Sequence, residues 1–145
     1  MSVKENIELM THYFKEYNAA KGDAAKLDAL LDKYFDPKFV WHLPTGDLKL
    51  EQAKQVGISI GKSFSDINMT VDDIIAAGDK VMTRQTMRAT HNGEYLGVAP
   101  TGKKISQTGM NINRIARGKI AETWMVNDTF GLMIQLGAVP NPFVQ

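Results

Sequence analysis

Near the C-terminal end of the chain, the segment GKIAETWMVND (Gly118 to Asp128) places an acidic residue at the end of a run of strand-forming residues. Side chains alternate between the two faces of a strand, so Ile120, Glu122, Trp124, Val126 and Asp128 share one face. An aspartate then shares a surface with a tryptophan. If that surface lines an enclosed pocket, desolvation disfavours the ionised carboxylate and suits Asp128 to general acid or base work near neutral pH. The same residue stands where the short helix after it needs an N-cap, which aspartate also supplies. His42, between Trp41 and Leu43, is a second group that could exchange a proton or hydrogen-bond a carbonyl, although a lone strand histidine is more often structural. Arg84 and Arg88 share a parity. They either bind an acidic or enolate oxygen or pair with carboxylates on a solvated face. Arg114 and Glu122, on the two arms of the last hairpin, fit a cross-strand ion pair. Tyr17, Trp41 and Trp124 are the aromatic candidates for shaping an apolar ligand pocket.

Other chemistry is disfavoured. The three histidines, His12, His42 and His91, lie in different elements without metal-ligand spacing, and there is no cysteine, so no metal site is expected. Phosphate-loop, dinucleotide and nucleophile-elbow patterns are absent. Seventeen basic residues balance sixteen acidic ones and are interspersed with them, which argues against a nucleic-acid partner. The N-terminal segment carries charges every few residues, and no stretch approaches the eighteen or so apolar residues of a membrane span. A soluble, cytoplasmic protein is the expectation.

The elements that must position these residues read as follows. Ile7, Met10, Tyr13, Phe14 and Tyr17 recur at helical spacing, predicting a helix from Val3 to about Ala20 that ends at Gly22. A second helix carries Leu27, Leu30, Leu31 and Tyr34, is capped by Asp23 and stops before Asp36-Pro37. Phe39–Leu43 reads as a short strand closed by a turn at Pro44–Asp47. A third helix spans Leu50 to Phe64, with Gly57 and Gly61 allowing another element to approach closely. Two long hairpins follow: Asn68–Ala76 with Lys80–His91 about Gly78-Asp79, and Lys104–Ala116 with Lys119–Asn127 about Arg117-Gly118. A last helix, Thr129–Leu136, ends at Gly137. The 145 residues are therefore expected to form one α+β domain, 1–145, with helices on one face of an antiparallel sheet.

The stretch Glu94 to Pro140, EYLGVAPTGKKISQTGMNINRIARGKIAETWMVNDTFGLMIQLGAVP, resembles the C-terminal signature of SnoaL-like polyketide cyclases. The Gly97–Lys103 loop, the Arg114–Trp124 hairpin and Asp128 followed by GLMIQLG carry the resemblance. The FDPKFVWH strand is similar to the family's early pocket strand. The resemblance implies the cone-shaped fold of the nuclear transport factor 2-like superfamily, with a strongly curved sheet and about three helices on its concave side enclosing an apolar pocket. It also implies cyclase- or isomerase-type proton transfer on an apolar carbonyl-bearing molecule, without metal or organic cofactor. Asp128 matches the aspartate that handles the proton in such cyclases. Where some cyclases have a histidine on the preceding strand, this chain has TGMNINRI, offering Asn111, Asn113 and Arg114. The expected site thus comprises Asp128 and His42 as catalytic groups, with Tyr17, Trp41, Arg88, Asn111 and Trp124 binding substrate. The alternative is a protein of the same fold that only binds its ligand, and pairing of sheets face to face implies a homodimer.

Overall fold

The computed structural model describes residues Met1 to Val144. Its elements are α1 (Val3–Ala20), α2 (Ala24–Tyr34), β1 (Phe35–Leu43), β2 (Gly46–Lys49), α3 (Leu50–Ser63), β3 (Phe64–Ala77), β4 (Lys80–His91), β5 (Lys104–Ala116), β6 (Lys119–Asn127) and α4 (Thr129–Gln135). Local chemistry explains the helix ends. Ser2 Oγ accepts from Glu5 N at 3.1 Å while Ser2 N donates back to Glu5 Oε2 at 2.7 Å, a capping box that starts α1. Lys21 closes that helix in a left-handed conformation, one residue before the glycine expected to do so. Asp23 starts α2 by accepting from Lys26 N at 2.9 Å. A Cβ placed on Gly61 would lie 2.7 Å from Gly22 O, so α3 crosses the α1–α2 corner at backbone contact, the close approach its sequence allows.

The six strands run in the order β2-β1-β6-β5-β4-β3. Both late hairpins form as expected, and every neighbouring pair is antiparallel except β1 and β6, which are parallel. Two features depart from the sequence reading. β1 starts at Phe35 instead of Phe39, continuing directly from α2. The Pro44–Asp47 segment is not wholly a turn, because Gly46–Lys49 folds back on β1 as edge strand β2.

Register shifts in β3, between Ser65 and Asn68 and between Val71 and Asp73, add local bends to the long edge strand. The result is an open, curved mixed sheet with four helices, the expected cone-like α+β fold, and each of the four helices read from the sequence is present. At the far edge, Asn18 of α1 donates from Nδ2 to Met69 O at 2.9 Å and accepts from Met69 N at 2.7 Å. The core divides in two. Met10, Phe14, Leu31, Phe39 and Ile120 pack α1 and α2 against the sheet, while Phe64, Ile105, Leu132 and Leu136 pack under α4. Among the described residues no helix is long and apolar enough to cross a membrane.

Candidate functional site

Between the helices and the concave face of the sheet lies a cavity of about 330 Å³, a size suited to a small organic molecule. Its two sides differ chemically. The helices contribute an apolar and aromatic side from Tyr13, Phe14 and Tyr17 of α1, Leu27 and Leu31 of α2, and Ile60 of α3. The sheet contributes neutral polar groups, because Gln85, Asn111, Asn113, Thr123 and Asn127 all point inward. Strand register stacks them in rows across β4, β5 and β6: Gln85–Gly109–Asn127, Thr83–Asn111–Met125 and Val81–Asn113–Thr123.

These polar side chains bond to one another. Thr123 Oγ1 donates to Asn113 Oδ1 at 2.7 Å, and Asn113 Nδ2 donates to Val81 O at 3.4 Å and to Asn111 Oδ1 at 3.3 Å. Thr83 Oγ1 bonds to Asn111 Oδ1 and lies 3.0 Å from Gln85 Oε1. Burial pushes the hydroxyl pKa values of Tyr13 and Tyr17 up, so both of these lining residues stay protonated.

Lys54 of α3 also lines the cavity and is only 6% exposed. Its ammonium bonds Asp32 at 2.7 Å, Asp28 at 3.1 Å and Glu51 at 3.4 Å. Asp32 first, then Asp28, holds it above the ordinary lysine range, so it is a neutralised structural cation and not an amine nucleophile.

Of the residues singled out from sequence, Tyr17, Trp41 and Asn111 line the cavity. The others lie elsewhere. β6 alternates as expected, but the face it turns to the cavity is that of Thr123, Met125 and Asn127, so Trp124 and Glu122 lie on the convex side. His42 lies there too, since its neighbour Trp41 takes the inward position on β1. Its ring stacks on Trp124 with centroids 5.0 Å apart, and its nitrogens bond Asp47 and Glu122, each at 2.9 Å. Both nitrogens are occupied outside the cavity, so His42 is a structural residue.

Arg88 is exposed on the same convex face and donates to Thr70 Oγ1 at 3.2 Å, away from the cavity. Arg84 pairs with Asp73 at 2.7 Å, and Arg114 with Glu122 at 2.7 Å across the hairpin as expected. Asp128 fills the alternative role, its Oδ1 accepting from Gly131 N at 2.8 Å to cap α4. It is exposed and outside the cavity wall, so the desolvation expected from a shared face with Trp124 is missing. Its neighbours Asn127 and Thr129 both line the cavity, so Asp128 stands next to the wall in the chain while its carboxylate is turned onto the first turn of α4.

Lys54 and the inward amides other than Asn111 and Asn113 were not anticipated. A signal for the amides exists in the sequence. On β4, β5 and β6 the charged residues Arg84, Arg114 and Glu122 share one parity, whereas Gln85, Gln107, Asn111, Asn113, Thr123 and Asn127 hold the other, which carries a charge only at Lys119 where β6 begins.

The convex cluster titrates. The Glu122 bond first, and then Asp47, raises the His42 pKa above its ordinary value of 6.5, while His42 and Arg114 lower that of Glu122. A raised imidazole pKa contributes stability that is fully present below about pH 6.5 and is lost as pH rises through the folded value. Replacing His42 by Asn is therefore expected to cost about 1 kcal/mol at pH 5.5 and clearly less at pH 9, read from urea unfolding at the two pH values. An equal loss at both would assign the effect to stacking alone.

A family model for SnoaL-like polyketide cyclases matches residues 14–136. Among solved structures, AclR from Streptomyces galilaeus, a candidate hydroxylase, is similar with a TM-score of 0.82 and 29% identity over 97% of this chain and 85% of its own. TsrD from Streptomyces laurentii has a TM-score of 0.80 and 27% identity, covering 96% of this chain and 99% of its own. IdmH from Streptomyces antibioticus, a candidate polyketide cyclase, has a TM-score of 0.77 and 30% identity, covering 91% and 98%. Comparison with curated proteins gives no match.

Proposed function

Because the chain belongs to the SnoaL-like polyketide cyclase family, we propose that it takes an uncharged, carbonyl-bearing small molecule into the cavity and moves a proton at the carbon beside the carbonyl. The observation that carries this reading is the two-sided cavity: aromatic residues hold a flat apolar body, and neutral amides meet its oxygen. Asp128, between the lining residues Asn127 and Thr129, is the carboxylate next to the wall in the chain, and the proposed step has it turn from its cap toward the cavity. In the proposed step its free oxygen takes the proton from carbon, the C–H electron pair passes into the carbonyl to give an enolate, and the amide N–H groups stabilise the oxygen charge. The enolate then attacks a second carbonyl of the same molecule, whose oxygen becomes an alkoxide and takes the proton back from Asp128, as in a cyclase, or regains that proton at another carbon, as in an isomerase. These steps need only the chain's own side chains.

The test uses 2-acetylnaphthalene, whose fused rings suit the aromatic side, incubated in D2O with and without protein. Faster loss of its methyl proton NMR signal with protein is the expected result. Exchange at the uncatalysed rate despite measurable binding would leave the second reading, a protein that only binds. That reading is favoured by one observation: among the described residues no carboxylate or imidazole lines the cavity itself.

We also propose a homodimer through the convex face. Ile75, Met82, Ile112 and Trp124 stand in register across β3 to β6 and are all exposed, with Met110 and Val126 beside them, an apolar row unusual for a free sheet face. Light scattering at micromolar concentration is expected to give twice the chain mass, and Trp124→Lys to halve it. A monomeric wild type would remove the proposal.

A further inference from the structure

The polar wall has a direction. The carbonyl oxygen of Val81 can only accept, so Asn113 must turn its Nδ2 toward it, and Thr123 confirms that orientation by donating to Asn113 Oδ1. The second Nδ2 hydrogen of Asn113 then goes to Asn111 Oδ1, which Thr83 also contacts. Thr83 likewise faces Gln85 Oε1. Thr83 has a single hydroxyl hydrogen, so the two carboxamides whose oxygens are fixed toward the sheet are Asn113 and Asn111. Asn111 Nδ2 is left with no protein partner among the described residues, although Asn111 is 6% exposed. Unlike Trp41 Nε1, this nitrogen is not sealed off, so the cavity is what reaches it. Tyr13 and Tyr17 of α1 line the same cavity.

We propose that Asn113 is a polarity-setting residue: held by Val81 O and Thr123, it fixes the Asn111 carboxamide with its NH₂ toward the cavity, making the wall a donor surface selective for uncharged molecules that present an acceptor oxygen. Selection against anions has a separate cause. The one cation lining the cavity among the described residues, Lys54, is already matched by three carboxylates, so a carboxylate ligand would lose its hydration without gaining a counter-charge. The inference rests on the small-molecule reading of the cavity given above but not on turnover.

Three probes of nearly equal size separate the contributions: 2-acetylnaphthalene, 2-ethylnaphthalene and 2-naphthoate, with dissociation constants from isothermal titration calorimetry at pH 8. Wild type is expected to bind the ketone about tenfold tighter than the hydrocarbon, the value of one net hydrogen bond, and the carboxylate at least tenfold weaker than the ketone. Asn113→Leu is expected to erase the ketone-to-hydrocarbon ratio while the hydrocarbon still binds. If that variant does not fold, Thr123→Val is expected to reduce the same ratio two- to fivefold. A variant in which both ligands weaken together, leaving the ratio unchanged, would show Asn113 to be merely structural and would overturn the proposal. So would a wild type that binds 2-naphthoate as tightly as the ketone. Ketone preference without proton exchange would instead sink the enzymatic reading and leave this one standing.

Discussion

Asp128→Asn is expected to lower the rate of catalysed proton exchange by about 10²- to 10⁴-fold while leaving the fold intact, because a positioned general base contributes roughly that factor. The substitution separates two functions carried by one side chain. Asp128 caps α4 through Oδ1, and asparagine retains that oxygen and ranks with aspartate at an N-cap, so a stability change within about 0.5 kcal/mol is expected. What asparagine lacks is the anionic oxygen able to accept a proton from carbon. A variant that melts with the wild type, binds 2-acetylnaphthalene equally and exchanges no protons would establish Asp128 as the base. Retained exchange would remove Asp128 from the mechanism and point to another group. Asp128→Ala is a poorer test, since it also strips the cap at a cost of about 1 kcal/mol.

Gly93→Ala is expected to be the most destabilising single-methyl addition, at about 2–4 kcal/mol. An added Cβ there would sit 2.1 Å from Lys62 O and 3.0 Å from Ser63 Cα, both backbone atoms that no side-chain rotation can clear. The conflict is one of space. Gly93 N and Asn92 N both donate to Ser63 O, at 2.9 and 3.1 Å, and Ser63 Oγ donates to Glu94 O at 2.6 Å. Moving the segment away from the end of α3 would break two or three of these bonds, each worth about 1 kcal/mol. The melting temperature is expected to fall by roughly 10 °C. Tyr95, which follows this clasp, lines the cavity and packs on Phe64 with ring centroids 5.0 Å apart, so ligand affinity should fall as well. Gly78→Ala is the control: its φ of 58° disfavours alanine but nothing lies within 4 Å of the added carbon, and about 1 kcal/mol is expected. Equal losses at the two positions would refute the steric account.

The elements were largely legible because turn chemistry and periodicity agree along this chain. β4 begins after Gly78-Asp79 and ends at Asn92-Gly93, and β5 meets β6 at Arg117-Gly118, turns that punctuate alternating residues. β2 was hidden by Pro44, Thr45 and Gly46, which read as turn throughout although only the first two turn the chain. The parallel pairing of β1 with β6 joins residues about eighty positions apart, and no local pattern reports it. The site was less legible than the fold for a related physical reason. Alternation identifies two faces of a strand, and the habit of placing apolar residues inward then assigns them. A strand that lines a polar-walled cavity reverses that habit: Trp124 and Ile112 point outward while Thr123 and Asn111 point inward. Expecting Trp124 to mark the pocket therefore put the even-numbered face of β6 on the cavity side, where the structure has the odd one.

The Asn18 clamp on Met69 bears on how the protein behaves in a crowded solution. β3 is fourteen residues long and has a sheet neighbour on one side only, the kind of open border on which foreign chains add strands and aggregates grow. By meeting both the N–H and the C=O of Met69, one carboxamide occupies the position a recruited strand would take. The two irregularities in β3 interrupt the remaining border, and Asp66, Asp72 and Asp73 place negative charge beside them. The chain thus keeps the long strand its cavity requires while denying that strand to other molecules as a template.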